Sequence, residues 1–504
     1  MFNEIVSGFS NLFHIGTFFN LILGFLLGLL FGAIPGLTAT LAIALLLPFT
    51  FGLGINNALV MVMGIYMAGI YSGSITATTI NIPGAPAAAM TAIEGYPMMK
   101  RGEGAKALAH GSFGSFVGGT LGAIILIFVA PLVMKVSLLI QTPDRFSLVL
   151  LAILTVSVVH GGSITKGIIS SVIGLMFKTV GMDPMVPLGR FHFGSPYLIE
   201  GVRLIPAVIG IFALSELFIQ IDQKAGKEKI LLMNNLGKKI SRFDFIPRWS
   251  DIKQIGIITY IKSALIGLFV GVLPGGGASM ASFISYAEAK RTTKYPEKYG
   301  KGFIEGIAAS ETANNAMCGG ALIPLLTLGI PGDTVTAIIF GVLLIQGLFP
   351  GPQLFIEAGD VVFTMFAALL FSPILIMLTT FMFGPYYLKI ADFNKAILFP
   401  FIGIIALAGT YISEYSIFQM WMALLMGIIA FFLRKNDYPI VPMLMGIILG
   451  GYLEEFLRRS LIISELNPII FITRPFSLGF LLMGVIFVYF LGIRKPLSKK
   501  IELT

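Results

Sequence analysis

Charged residues are scarce in this chain. Asp, Glu, Lys and Arg make up 12% of its 504 residues, whereas 56% are hydrophobic. Because a soluble globular protein has about 25% charged residues, the composition excludes a soluble domain and predicts a polytopic protein in the lipid bilayer. The net charge of +9 does not indicate a nucleic-acid partner, since excess Lys and Arg in a membrane protein usually mark its cytoplasmic loops.

Cysteine and histidine are also scarce. The only cysteine, Cys318, cannot form an intramolecular disulfide or a cysteine metal cluster. The four histidines, at positions 14, 110, 160 and 192, form no H-E-x-x-H motif, and Gly277 is not followed by the Lys-Ser/Thr of a phosphate loop. No G-x-S-x-G elbow is present. We therefore expect no enzyme, no bound metal and no cofactor. The start, Met1-Phe-Asn-Glu4, lacks a basic region, so we expect no cleaved signal peptide.

Two motifs occur twice, in the same order. Gly28-Leu-Leu-Phe-Gly-Ala-Ile-Pro-Gly36 recurs as Gly267-Leu-Phe-Val-Gly-Val-Leu-Pro-Gly275. Thr79-Ile-Asn-Ile-Pro-Gly84 recurs as Thr327-Leu-Gly-Ile-Pro-Gly332. Such a long period is typical of a duplicated membrane domain rather than a solenoid. We expect two structural repeats of inverted topology, in halves 1–221 and 255–504.

Each motif predicts a helix, a break and a new helix. Glycines four residues apart let helices approach closely, and Pro with Gly then interrupts the helix. Because Pro also suits the first position of a helix, we expect a free helix N-terminus, which attracts anions, at each Pro-Gly. Irregular backbone inside a bilayer survives only within protein or beside a water-filled cavity. We therefore expect four helix ends around one buried polar site; the alternative is four loops at the membrane surface.

The longest polar stretch, 222–254, separates the halves. It contains eight Lys or Arg residues and four Asp or Glu residues, so it is predicted to be a cytoplasmic linker. The basic tail that begins at Arg494 is assigned to the same side. The apolar runs predict an all-α protein with about 10–12 transmembrane helices plus re-entrant or broken helices.

Polar side chains near the four breaks are the candidate site. Hydroxyls, amides and unwound backbone can hold a small cation, and helix N-termini can hold a carboxylate. Alternatively, Ser and Thr bond their own helix, and Asp333 caps one. For ion coupling we predict Thr79, Glu311 and Asp333, since intramembrane acids are functional candidates. For substrate binding the candidates are Pro35, Gly36, Ser74, Thr78, Asn81, Pro83, Gly84, Pro274, Gly275, Gly276, Ser279, Asn314, Asn315, Pro331 and Gly332.

The motif set resembles the large membrane subunit of tripartite tricarboxylate transporters, the TctA type. The residues that carry this resemblance are Gly32-Ala-Ile-Pro-Gly36, Tyr71-Ser-Gly-Ser-Ile-Thr76 through Asn81-Ile-Pro-Gly84, Glu94-Gly-Tyr-Pro97, Pro274-Gly-Gly-Gly277, and Glu311-Thr-Ala-Asn-Asn315 with Gly329-Ile-Pro-Gly332. The resemblance implies a multi-pass secondary transporter of the prokaryotic inner membrane, driven by a cation gradient. It also implies a small membrane subunit of about four spans and an extracytoplasmic solute-binding protein.

We therefore expect an importer of small organic carboxylates, tri- or dicarboxylates such as citrate, coupled to Na⁺ or H⁺. An anion channel built on the same broken helices is the alternative, as is a membrane scaffold or enzyme that transports nothing. A channel needs a continuous pore, whereas paired breaks favour a closed site that opens to alternate sides.

Overall fold

The structure, a computed structural model, describes residues 2–159, 163–222, 241–388 and 395–489. Within these ranges the regular structure is helical apart from a two-residue antiparallel pair, β1 (Gly181–Met182) and β2 (Gly189–Arg190). The predicted all-α polytopic class is thus confirmed. Residues 223–240 of the predicted linker, the tail from Arg494 and His160 lie outside the described residues.

The helices have the following bounds. In the first half they are α1 Phe2–Leu12, α2 Ile15–Ala33, α3 Ala39–Leu46, α4 Ile55–Ile80, α5 Ala89–Lys100, α6 Gly104–Ser137, α7 Thr142–Val159, α8 Ile164–Lys178, α9 Leu204–Val208 and α10 Ser215–Asp222. In the second half they are α11 Trp249–Ile255, α12 Ile257–Val272, α13 Gly277–Thr292, α14 Ile304–Leu328, α15 Thr334–Ile345, α16 Pro352–Glu357, α17 Gly359–Tyr387, α18 Lys395–Glu414, α19 Ile417–Lys435, α20 Ile440–Ile463, α21 Ile470–Thr473 and α22 Pro475–Phe487.

Eight helices in the described ranges are long and apolar enough to cross a membrane, or nine if a bent pair counts as one span. The prediction of 10–12 spans included apolar segments that form shorter helices, such as α8 and α22. The bent pair turns by 96° between 242–255 and α12. Gly256 makes this corner with φ +82°, a conformation that costs glycine little.

The chain forms two compact units. The first unit comprises Met1–Lys135 and Gln220–Gly409, and the second comprises Val136–Ile219 and Thr410–Thr504. Each unit therefore takes one segment from each predicted half of the sequence. The predicted boundary at 222–254 separates the two sequence repeats and does not coincide with a division into two compact units. It stays a prediction.

In the first unit, two long helices pack in the same way in both halves. A Cβ on Gly28 of α2 would overlap the carbonyl of Ile65 in α4, and a Cβ on Gly267 of α12 would overlap the carbonyl of Ala313 in α14. Ile65 and Ala313 are equivalent, because they lie 248 residues apart, as do the repeated Thr79 and Thr327. Glycine thus sets the same close approach and register in both repeats.

The second unit is held by small residues and buried ion pairs. The helices α8 and α20 approach at Gly174 and Gly446, where a Cβ on either would overlap the opposite backbone. Asp144 of α7 is fully buried and accepts two bonds from Arg474 at 3.0 and 2.9 Å and one from the N–H of Ser477 at 3.2 Å. The carboxylate is therefore paired and saturated, as a buried charge requires.

Candidate functional site

The two breaks of the first half are turns rather than direct helix starts. Pro35 and Gly36 lie in a turn, and α3 begins three residues after Gly36, at Ala39. Thr38 is its N-cap and accepts a bond from the N–H of Leu41 at 3.2 Å. The prediction that Pro starts the new helix is wrong here, because a capping hydroxyl fixes the start instead.

The second break begins at Asn81, which ends α4 in a left-handed conformation with φ +59°. Its equivalent, Gly329, ends α14 in the same conformation with φ +71°. Glycine is the residue most often found in this left-handed conformation at a helix end, and Asn is the next most suitable. Asn81 is exposed, whereas Pro83 is half-buried and the N–H of Gly84, which is buried, donates to the carbonyl of Gly73 at 3.2 Å.

The third and fourth breaks meet. The N–H of Gly275, next to half-buried Pro274, donates to the carbonyl of Gly332 at 2.8 Å. Helix α13 starts at Gly277, with Gly276 as an N-cap that offers no side chain. Pro331 and Gly332 are buried directly before Asp333, so these two Pro-Gly segments form one buried junction. Along α13, Ser279 is exposed.

Asp333 caps α15. Its carboxylate accepts from the N–H and the hydroxyl of Thr336, at 2.8 and 2.6 Å, and the N–H of Asp333 binds that hydroxyl in return. The hydroxyl of Tyr66 in α4 donates to the other carboxylate oxygen at 3.1 Å. Both oxygens are thus occupied, so the capping alternative raised by the sequence accounts for the position of Asp333.

Of the four helix starts that follow the breaks, two lack a capping side chain, one in each half. A short 3-10 turn, Pro86–Ala88, follows Gly84 without a side-chain cap and continues into α5. Helix α13 is likewise uncapped and packs against this turn. N–H groups without a capping partner carry partial positive charge at such ends, so the first unit contains one uncapped helix start from each half of the sequence.

The central helix of the site is α14, which is buried along its length except at Leu328. It crosses α4 where the Nδ2–H of Asn315 donates to the carbonyl of Met67 at 3.2 Å. Met67 and Asn315 occupy equivalent positions, 248 residues apart. Equivalent positions of two repeats contact each other where a two-fold axis relates them, so this contact is compatible with the predicted repeat relation.

Glu311 is a fully buried carboxylate on α14. Thr91 of α5 donates a short hydrogen bond to its Oε1, and Ser115 of α6 donates to its Oε2 at 3.2 Å. No Lys or Arg side chain in the described ranges forms an ion pair with it. A buried ionised group without a countercharge is costly, so a neutralising partner would stabilise this carboxylate.

Several buried polar atoms around α14 have no partner. Neither amide atom of Asn314 makes a hydrogen bond of good geometry among the described residues, nor does Oδ1 of Asn315. The same holds for the hydroxyls of Thr312 and, in α4, Ser74. Each such atom costs about 1–3 kcal/mol, so the chemistry of these groups suits a polar ligand or ordered water.

Two other predicted residues have ordinary packing roles. The hydroxyl of Thr79 donates to the carbonyl of Ile75 in its own helix at 2.9 Å. Thr78 lies against Gly95 of α5, where a Cβ would overlap the threonine hydroxyl. The alternative that Ser and Thr bond their own helix accounts for Thr79, whereas Thr78 packs against the neighbouring helix α5.

Glu94 was not assigned to the site from the sequence, although it opens one of the motifs. Its fully buried carboxylate accepts from the hydroxyl of Tyr286 at 2.6 Å. It also accepts from the N–H groups of Gly300 at 2.6 Å, and of Gly302 and Phe303 at 2.8 Å. This carboxylate ties α5, from the first half, to the loop that precedes α14.

Comparison with known proteins places the chain among transporter components. Residues 18–445, which contain all four Pro-Gly breaks, match the model of the tripartite tricarboxylate transporter TctA family. An Agrobacterium vitis protein, described as an uncharacterized 52.8 kDa protein in the TAR-I ttuC' 3' region, is 35% identical over 463 residues, 92% of this chain and 90% of that protein. An uncharacterized protein in the TAR-II ttuC' 3' region of the same organism is 36% identical over 222 residues, 44% of this chain and 92% of that protein. No solved structure matches the chain.

Proposed function

The chain belongs to the tripartite tricarboxylate transporter TctA family, and we propose that it imports a small organic carboxylate together with a coupling cation. The family is a transporter component and not an enzyme family. The observation that carries the proposal is the buried carboxyl of Glu311, which is bonded by neutral side chains and has no ion-pair partner among the described residues.

The coupling cation, Na⁺ or H⁺, binds at Glu311. A carboxylate held away from water is stabilised when a cation or a proton neutralises it. Oxygen-rich side chains near mid-membrane are typical of such sites. The orphan amide of Asn314, one helical turn further along α14, supplies a further oxygen on the same face.

The substrate carboxylate binds at the uncapped helix ends and the orphan amides. Residues 72–95, 274–288 and 303–346 contain no Lys or Arg, so the positive charge there comes from the starts of Pro86–Ala88 and α13 and from the bound cation. The unpartnered hydroxyl of Ser74 donates a hydrogen bond to the carboxylate, whereas the free Oδ1 of Asn315 is an acceptor for the coupling cation or for a donor group of the substrate. Binding a dianion or trianion in this way requires the cation, which gives coupling an electrostatic cause.

The partners are an extracytoplasmic solute-binding protein and a small membrane subunit of about four spans, in a prokaryotic inner membrane. Membership of a tripartite family supports partner proteins in general. In addition, eight or nine candidate spans in the described ranges leave no soluble domain there to capture substrate outside the bilayer.

The test is uptake into liposomes that contain the chain and its two partners. We expect citrate or another small carboxylate to accumulate uphill when an inward Na⁺ or proton gradient is imposed. Glu311→Gln removes the titratable charge and should abolish accumulation. Glu305→Gln, on the same helix but bonded to Thr293 near its start, is the matched control and should retain it. Downhill flux alone, without gradient-driven accumulation, would favour the anion channel.

A further inference from the structure

Helix α5 is held to the second half at two points on one face. Thr91 donates to the carboxylate of Glu311, and Glu94, three residues later, accepts the four bonds from Tyr286 and the 300–303 loop. Residues three apart on a helix lie on the same side. Both contacts are made by buried carboxylates, one on each partner.

The two contacts differ in strength and in what they respond to. The Glu94 end has four donors, and Arg101 adds bonds to the carbonyls of Lys301 and Gly302, so it is a fixed anchor. The Thr91 end depends on one hydroxyl of α5, which bonds Glu311 and also lies at hydrogen-bond distance, 3.2 Å, from the Ser310 hydroxyl. Ser310 itself donates to the carbonyl of Gly306 at 3.0 Å, so it can accept a hydrogen bond from Thr91. A bond to an ionised carboxylate is roughly twice as strong as a neutral one, so its strength changes when Glu311 is neutralised.

The Thr91 end is also the end that carries a break. The turn Pro86–Ala88 runs directly into α5, and Gly84 begins this segment. A hydroxyl has one hydrogen and two lone pairs, and it rotates to suit its partner. When a proton binds Oε1, Thr91 turns from donor to acceptor; when a metal cation binds there, it competes with the Thr91 hydrogen for the same oxygen. In both cases the contact that holds the start of α5 changes.

We propose that Thr91 is a positioning residue that passes cation occupancy at Glu311 to the Pro83–Gly84 break through α5. This inference rests on the proposed cation coupling at Glu311. Thr91 determines how much the start of α5 and the adjoining Pro83–Gly84 break move when the cation binds. The hydrogen bonds of Glu94 hold the other end of the helix in place. The ligand affected is the small carboxylate that binds at the break.

The test measures the break without needing the substrate. Pro86 is exposed and is replaced by Cys in a Cys318→Ala background, so that the new thiol is the only one in the full-length chain. N-ethylmaleimide labelling rates are compared in nanodiscs with Na⁺ or N-methyl-glucamine, at acid and neutral pH. Allosteric couplings are typically about 5–150-fold, so we expect the cation to change the rate at least fivefold. In the Thr91→Val protein the cation should change the labelling rate less than about twofold, whereas in the Thr91→Ser protein the full change should return.

A second readout separates positioning from cation binding. The cation should still raise the melting temperature of the Thr91→Val protein, because Glu311 remains. Ser112→Ala, which removes a hydroxyl bonded within α6 at 2.9 Å, should leave the labelling response unchanged. If the cation still changes the labelling rate of the Thr91→Val protein, the positioning role is overturned but the cation coupling is not. The same holds if the cation no longer raises the melting temperature of that protein, because Thr91 would then bind the cation itself. If the cation changes neither the labelling rate nor the melting temperature of the protein that retains Thr91, the proposed coupling is overturned as well.

Discussion

The side-chain amide of Asn315 donates to the backbone carbonyl of Met67 at 3.2 Å, and the two residues hold equivalent positions in the two repeats. The helices that carry them, α14 and α4, therefore cross at the point where a two-fold axis would pass. The repeats differ chemically at this crossing, because one contributes a thioether and the other an amide. The centre of this crossing is polar because Asn315 stands where the other half of the sequence has Met67.

The repeats should be inverted. Segments 15–95 and 254–350 should superpose, and the loops after α5 and α15 should then lie on opposite sides of the membrane. Lys100 and Phe349 are exposed there and can be replaced one at a time by Cys in the Cys318→Ala background. An impermeant maleimide should reach each thiol from a different side. If both thiols are labelled from the same side, the prediction of inverted topology is wrong, whereas the prediction of two structural repeats is unaffected.

Asn315→Ala should abolish uptake without preventing membrane insertion. The lost bond to Met67 costs only about 0.6–2 kcal/mol, as interhelical polar contacts in membranes do, so the fold should persist. Uptake and the amount of inserted protein are measured together. Asn20→Ala is the matched control, because the Asn20 amide bonds the carbonyl of Gly16 in its own helix. Wild-type uptake by the Asn315 variant would remove this residue from the site.

Glu94→Ala should destabilise the first unit strongly. It would leave the Tyr286 hydroxyl and three loop N–H groups without their acceptor, and each buried orphan donor costs about 1–3 kcal/mol. We expect a loss of roughly 3 kcal/mol or more in the free energy of unfolding, read as a lower melting temperature. Tyr286→Phe, which removes one donor, should cost about 1 kcal/mol. The exposed Glu297→Ala is the control. Equal melting of the two Glu variants would contradict the role of Glu94.

The breaks were predictable from the sequence because their signals are local. Proline removes a donor and glycine frees the backbone wherever they occur, so all four Pro-Gly breaks were found. Where the next helix starts depends on competing caps, and Thr38 and Asp333 decided this at two breaks. Asn81 was predicted as a ligand from its residue type, whereas its left-handed geometry shows the conformational demand that Gly329 meets in the other repeat.

The surroundings of Glu311 could not be predicted in the same way. Thr91 and Ser115 are single hydroxyls on helices, and they meet Glu311 across 220 and 196 residues of sequence. Glu94 reaches the loop at Gly300 across 206 residues. Such contacts depend on how α5, α6 and α14 pack, and neither periodicity nor spacing carries that information.

Breaking the Asp144–Arg474 pair should destabilise the second unit. Arg474→Ala leaves a buried carboxylate uncompensated, which typically costs about 3–5 kcal/mol. Asp144→Asn combined with Arg474→Ala should cost less than the sum of the single changes, because the remaining groups are neutral. The control is Arg459→Ala, which breaks an exposed pair with Glu455 worth about 0–1 kcal/mol. Additive costs in the double variant would show that the two side chains do not interact.

The substrate should be held by neutral groups and helix ends, with no Arg or Lys on its carboxylates. The segments around the breaks contain no basic residue between 72 and 95, 274 and 288, or 303 and 346. Of the four helix starts that follow the breaks, two carry capping side chains, and one of these caps is the carboxylate of Asp333. The helix starts that remain available to an anion are those of Pro86–Ala88 and α13. Each supplies roughly half a unit charge, which is too little for a dicarboxylate or tricarboxylate without a cation.

Binding of citrate and succinate should therefore weaken at least tenfold, about 1.4 kcal/mol, when Na⁺ is replaced by N-methyl-glucamine at fixed ionic strength, or when the proton concentration is lowered. Lys262→Gln, on the exposed side of α12, should leave the affinity unchanged. If the affinity for citrate and succinate depends on neither the Na⁺ concentration nor the pH, this scheme is refuted. So would a bound structure in which an Arg or Lys side chain contacts the substrate carboxylate, because the charge would then be compensated without the coupling cation.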